Sequence, residues 1–215
     1  GWRVEILRGK VHQLGSGDHT LCEKCNNHTG AWYGKAFADW TYQAFRVISF
    51  AKDEPTLYYQ FRIFPLRVIK QIVCMFFSAN GPSFRTVHPD LVKFILNRED
   101  RYLNPKIRIY CYYNLSPVSR QSGIASLLNI ERQQLQTFSE IAYMPLGYIM
   151  TLESEVPDNR PVDISFFAHY RYNDWKEFSF KIPVLSVYTY FPGDYRNRDE
   201  VLATLRESRS QSKPR

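Results

Sequence analysis

Between Tyr33 and Phe76 the spacing of apolar residues changes period twice, and a chain built that way must pack helices against a sheet. Tyr33, Phe37, Trp40, Ala44 and Val47 step by four, three, four and three, the interval of a single helix face, so residues 31–49 are predicted helical. Residues 56–64 then alternate, with Leu57, Tyr59, Phe61 and Ile63 on one side and Gln60 and Arg62 on the other, the pattern of a strand. Pro65 ends it. Leu66, Ile69, Val73 and Phe76 restore the helical spacing, and Asn80-Gly81-Pro82 is a C-terminal stop.

The remainder is read with the same two rulers. Pro89 at a first-turn position opens a short helix to about Asn97, and residues 106–113 alternate as a strand. Residues 123–135 are predicted as a helix, and residues 140–151 as a strand interrupted at Pro145. Phe178, Phe180 and Ile182 alternate with Ser179 and Lys181, residues 184–190 continue extended, and residues 199–206 form a terminal helix. The expected fold class is α+β: an N-terminal zinc-knuckle and hairpin segment plus helix over residues 1–50, joined to a mixed helix and antiparallel-sheet body over residues 51–205. Residues 206–215 are expected to be a basic disordered tail.

Composition narrows the partners. The formal charge is +7, and the last ten residues carry four basic side chains against one acidic, which leaves the body only mildly basic. That is compatible with DNA or RNA without announcing either. No stretch approaches the roughly 20 uncharged apolar residues of a membrane span; residues 68–79 are short and include Lys70. Four cysteines, two of them isolated, make no disulfide framework, so a reducing, cytoplasmic setting is expected.

The cysteines and histidines are unevenly placed. His12, His19, Cys22, Cys25 and His28 fall within 17 positions and are five of the chain's nine Cys and His residues. Cys22-Glu23-Lys24-Cys25 has the two-residue gap that lets both thiolates reach one tetrahedral ion, for which zinc is the natural occupant. His12, His19 and His28 are the candidates for completing the site. An exposed turn that merely holds two thiols, or a redox pair, has the same spacing.

Residues 21–30, Leu-Cys-Glu-Lys-Cys-Asn-Asn-His-Thr-Gly, resemble the second zinc knuckle of HNH-type endonucleases and related treble-clef proteins, in which Cys-x-x-Cys-Asn leads into a helix. The resemblance implies Cys22 and Cys25 as structural zinc ligands and Asn26 as the asparagine that fixes a histidine-bearing loop. It implies Asp18-His19 as the acidic-His pair, with His19 activating water, and magnesium or manganese as the catalytic metal of a nuclease. Asp18-His19 lies closer to Cys22 than the family pattern places it, residues 31–49 contain no histidine, and no second Cys-x-x-Cys lies upstream. Two accounts fit these differences: an N-terminally incomplete chain, or a degenerate knuckle that does not cleave. The alternative function is a non-catalytic, zinc-stapled binding or protein-interaction module.

Arg62, Arg67 and Lys70 are candidate phosphate contacts, with a solvated helix face as the plainer reading. Tyr110, Tyr112 and Tyr113 suit base stacking or strand packing. Cys74 and Cys111 lie in apolar periodic segments, as buried free thiols do. His88 and His169 have no partner in the sequence pattern.

Overall fold

In the computed structural model, which describes residues 22–51, 54–116, 118–129 and 133–211, the first helix begins at the cysteine pair itself. Glu23–Thr29 (α1), a π-helical turn at Gly30–Gly34 and Lys35–Ile48 (α2) follow one another without a break, because Gly30 and Gly34 keep right-handed helical angles. The start is set by Cys22, which is extended and whose Sγ accepts from the Cys25 N–H, satisfying one of the donors that a helix N-terminus leaves open. The helix expected at 31–49 is therefore extended back to the knuckle. The hairpin expected in the N-terminal segment, and His12 and His19, lie outside the described residues.

Strand β1 (Thr56–Ile63) leads into α3 (Pro65–Asn80), followed by α4 (Ser83–Val87), which the periodicity did not show, and α5 (Pro89–Leu96). The sheet is completed by β2 (Ile107–Asn114), β3 (Arg120–Asn129), β4 (Gln134–Tyr143), β5 (Leu146–Leu152), β6 (Val162–Asp163) and β7 (Lys176–Leu185). A 3-10 turn at Ser165–His169 follows β6, and α6 (Arg198–Gln211) closes the order. Strand order is β1-β7-β2-β5-β4-β3, with β6 also on β2. Every pairing is antiparallel except β2 with β7. The α+β class is borne out, with a mixed rather than wholly antiparallel sheet.

One face of the sheet carries the helices. Trp40 lies at the junction, its ring 4.3 Å from Phe61 and its indole N–H donating to the Tyr148 hydroxyl at 2.9 Å. Tyr33 donates to the Ile95 carbonyl at 2.8 Å, so the N-terminal helix shares a core with the body. Helix α3 is central, with Leu66, Val68, Ile69, Ile72, Val73, Phe76 and Phe77 all fully buried. Helix α3 is covered except along a half-buried stripe at Arg67, Gln71, Met75 and Ser78, so its expected polar side at Lys70 is internal: that residue is fully buried too.

The other face carries a smaller core. Tyr112, Phe138, Ala142 and Ile149 meet Leu185, Val187 and Tyr195, so residues 186–195 cross the sheet as a strap. Tyr112 and Tyr113 are fully buried, which favours packing over base stacking for this tyrosine run. Cys74 and Cys111 are buried free thiols, as expected.

Two elements depart from expectation. Residues 123–129 and 134–135 are not helical: they are most of β3 and the start of β4, where Leu127 pairs with Gln136 and Leu128 with Leu135. The leucines, glutamines and charged residues there favour a helix locally, and cross-strand pairing overrides that preference. Residues 140–151 are two strands, since the chain turns at Met144-Pro145 and β4 pairs with β5. The terminal helix also runs past its expected end, to Gln211, which replaces the tail expected from Arg206 up to that residue. Its start is a capping box: Glu200 N–H donates to Asn197 Oδ1 at 2.9 Å, and Asn197 N–H donates to Glu200 Oε2 at 2.6 Å.

Candidate functional site

The cysteine pair is held at the head of the long helix. Cys22 is exposed and Cys25 half-buried, and their two Sγ atoms share a hydrogen bond across 2.8 Å. Cys25 N–H donates to Cys22 Sγ at 3.3 Å. These contacts lower the pKa of Cys22, with the bond between the thiols foremost, while the same bond and partial burial raise that of Cys25. The pair therefore favours one thiolate, at the positive end of a helix.

Tested against zinc, the donor chemistry fits. Zn–S bonds of about 2.3 Å at a tetrahedral angle set two sulfurs about 3.8 Å apart, so the thiols must spread by about 1 Å. Among the described residues nothing packs Cys22 in place, and rotation of its exposed side chain is sufficient. Cys22 and Cys25 are thus able to supply half of a four-ligand site. Among the described residues no third His, Cys, Asp or Glu joins them.

Other proposed ligands and site residues have separate environments. Asn26 is exposed on the first turn, its carbonyl accepting from Thr29 Oγ1 at 3.2 Å and from the Gly30 N–H. His28 points along the helix and stacks on Trp32 at 5.4 Å. The structure does not bring it to the cysteines.

The three cations singled out as phosphate contacts do not make one patch. Arg62 is exposed and pairs with Glu177 across the β1–β7 ladder at 2.8 Å. Arg67 lies between the rings of Phe64 and Tyr172, at 4.4 and 4.0 Å, and donates to Tyr172 O and Asn173 Oδ1. Lys70 donates to the carbonyls of Phe94 and Asn97 at 2.7 and 2.6 Å, capping the C-terminal end of α5. Burial lowers its pKa to about 8. Lys70 is occupied inside the fold, and Arg67 is held, half-buried, against Phe64 and Tyr172.

A second charged cluster, which the periodicity did not reveal, lies under the strap. Glu140 Oε2 accepts from Arg120 at 2.8 Å and from the Gly193 N–H at 2.9 Å, and Oε1 accepts from the Tyr112 hydroxyl at 2.5 Å. The Arg120 guanidinium also donates to Thr189 O and Asp194 O. Both charged groups are essentially without solvent exposure, 2% and 0%. Both carboxylate oxygens of Glu140 accept from the protein, so the cluster fastens residues 186–195 and, among the described residues, leaves no opening for a ligand. Its neighbour Gly147 is required: a Cβ there would enter the Tyr112 ring.

His88 and His169 line separate surface depressions of about 650 and 640 Å³. His88 packs on Phe84 at 4.6 Å, and burial lowers its pKa. His169 shares its depression with Lys93, Asp100, Arg101 and Tyr102. Neither histidine meets a cysteine.

Comparison with protein-family models, with curated proteins and with solved structures gave no match. Among the described residues no helix is long and apolar enough to cross a membrane.

Proposed function

We propose that this chain is a metal-binding, nucleic-acid-associated protein of HNH-like type, in which Cys22 and Cys25 hold a structural zinc ion. The observation that carries this reading is the pair of sulfurs 2.8 Å apart at the head of a helix that runs into the core. Asn26 follows at once, as in the knuckle the sequence resembles. With His28 stacked on Trp32, His19 and His12 are the remaining sequence candidates to complete the ion's shell. Zinc supplies a fixed, redox-inert tie between the segment before Cys22 and the helix.

The second reading, a zinc-stapled module without cleavage activity, is favoured by the use of Arg67 and Lys70 in contacts within the chain and by the stacking of His28 away from the sulfurs. One set of measurements separates the two. Protein purified without chelator is expected to hold close to one zinc per chain, lost in Cys22→Ser. Less than about one zinc per three chains, against the occupancy of a tight structural site, removes both readings. With zinc present, incubation with plasmid, single-stranded DNA and RNA in magnesium or manganese decides between them: metal-dependent cleavage abolished by His19→Ala supports the nuclease, and salt-dependent binding without cleavage supports the module. Absence of both leaves nucleic acid out of the function.

A further inference from the structure

We infer that Cys22 and Cys25 form a thiol–disulfide exchange site, in which Cys22 attacks a small disulfide such as glutathione disulfide and Cys25 resolves the adduct. The two sulfurs share a hydrogen bond across 2.8 Å, a separation between the S–S bond of about 2.05 Å and the roughly 3.8 Å that one zinc ion sets. Closing by about 0.8 Å makes a disulfide. The spread that zinc needs is no smaller, so the pair is as near to a disulfide as to a metal site. Exchange needs no metal and stands apart from the zinc reading.

The two thiols are not equivalent. Cys22 is exposed, where a dissolved disulfide reaches its Sγ, and Cys25 is half-buried in the first turn. Glu23 and Lys24 between them are exposed as well, so among the described residues the approach to Cys22 is open. The Cys25 N–H, donating to Cys22 Sγ at 3.3 Å, turns that sulfur toward its partner. The turn is anchored in the fold: buried Thr29 donates from Oγ1 to the carbonyls of Cys25 and Asn26 at 3.0 and 3.2 Å, and the helix continues to Tyr33 in the core. The other two thiols, Cys74 and Cys111, are buried and do not compete, because exchange requires access to the attacking sulfur.

Exchange proceeds in two steps. The Cys22 sulfur, as thiolate, bonds to one sulfur of the small disulfide; the S–S bond breaks, and the departing sulfur takes up the proton that Cys22 released. The Cys25 sulfur then bonds to Cys22 Sγ, the mixed disulfide breaks, and a second small thiol leaves with the Cys25 proton. Two cysteine thiols have given up two electrons, and one small disulfide has become two thiols. A turn that already holds its sulfurs 2.8 Å apart favours the second step over attack by a free thiol.

The test mixes the full chain, kept metal-free with chelator, with glutathione disulfide, stops the reaction with acid at intervals and reads the products by mass spectrometry. The unmodified chain is expected to lose two hydrogens through a Cys22–Cys25 disulfide, with no lasting adduct. Cys25→Ser is expected to take up one glutathione at Cys22, and to do so roughly tenfold or more faster than Cys22→Ser does at Cys25. Cys74 and Cys111 are expected to stay reduced. A lasting adduct on the unmodified chain, equal rates in the two variants, or reaction at Cys74 or Cys111 as fast as at Cys22 overturns the inference. Should a serine variant fail to fold, peptide mapping of the treated unmodified chain decides: the Cys22–Cys25 disulfide alone supports exchange, and any other product, or none, overturns it. Zinc content enters none of these readouts, so a chain that holds no zinc refutes the metal reading and leaves this one standing.

Discussion

Two groups of ionisable side chains lie close together in this molecule, and they differ in what is left over. Under the strap, Glu140 and Arg120 spend their hydrogen bonds on each other, on Tyr112 and on the carbonyls and amide of residues 189–194. At the head of α1, Cys22 and Cys25 contact each other and, among the described residues, one backbone amide, with Cys22 exposed and Cys25 half-buried. The first arrangement is saturated and closes a fold. The second keeps an exposed sulfur whose thiol pKa is lowered, the chemistry of a reactive or ligating cysteine. Proximity of charged groups therefore does not by itself identify a functional site.

The comparison breaks most readily at Glu140. Replacing it by alanine leaves a buried guanidinium without its carboxylate, and such losses cost about 3–5 kcal/mol. Urea denaturation of Glu140→Ala is expected to show a fall in that range, with residues 186–195 becoming open to proteolysis. A loss under about 1 kcal/mol means that the cluster is not the closed unit described here.

A smaller effect is expected at Gly147, which touches the cluster only through the space it leaves for Tyr112. Gly147→Ala overpacks that ring and is expected to cost about 1–3 kcal/mol, read from the same denaturation curves. An unchanged midpoint shows that the Tyr112 ring is free to move, and that the strap is held less tightly than its hydrogen bonds imply.

The cysteine pair sharpens the other side. Since Cys22 is lowered and Cys25 raised, metal-free protein treated with iodoacetamide is expected to react first at Cys22. The pH of half-maximal rate is expected below the ordinary thiol value of about 8.5 for Cys22 and above it for Cys25. Peptide mass spectrometry checks the order, and one equivalent of zinc is expected to slow both. Equal rates at the two positions contradict the asymmetry of the helix head.

Much of the helical layer was legible because its period is a property of contiguous residues. The four-three steps from Tyr33 to Val47 mark the side that buries Trp40 and Ala44, and the alternation of β1 marks Phe61 and Ile63. Lys70 shows the limit of this reading. Its polar side chain sits where a two-faced helix would meet water, but α5 ends against it and offers two carbonyls. Residues 123–135 show another limit, since a leucine- and glutamine-rich run contains no sign that β4 will pair with it.

By itself, then, the amino-acid sequence determined the α+β class, the helical stretches with their buried faces, the β1 and β2 strands, the isolated buried thiols and the close spacing of Cys22 and Cys25. Each of these depends on residues within a few positions of one another, where covalent geometry and side-chain period act directly. Only the tertiary structure decided that the sheet is mixed, that Lys70 turns inward, that Arg67 is held against Phe64 and Tyr172, and that Arg120 and Glu140 fasten the strap. Those outcomes depend on groups tens of residues apart competing for the same hydrogen-bond partners and the same buried space, and no local period records which of them prevails.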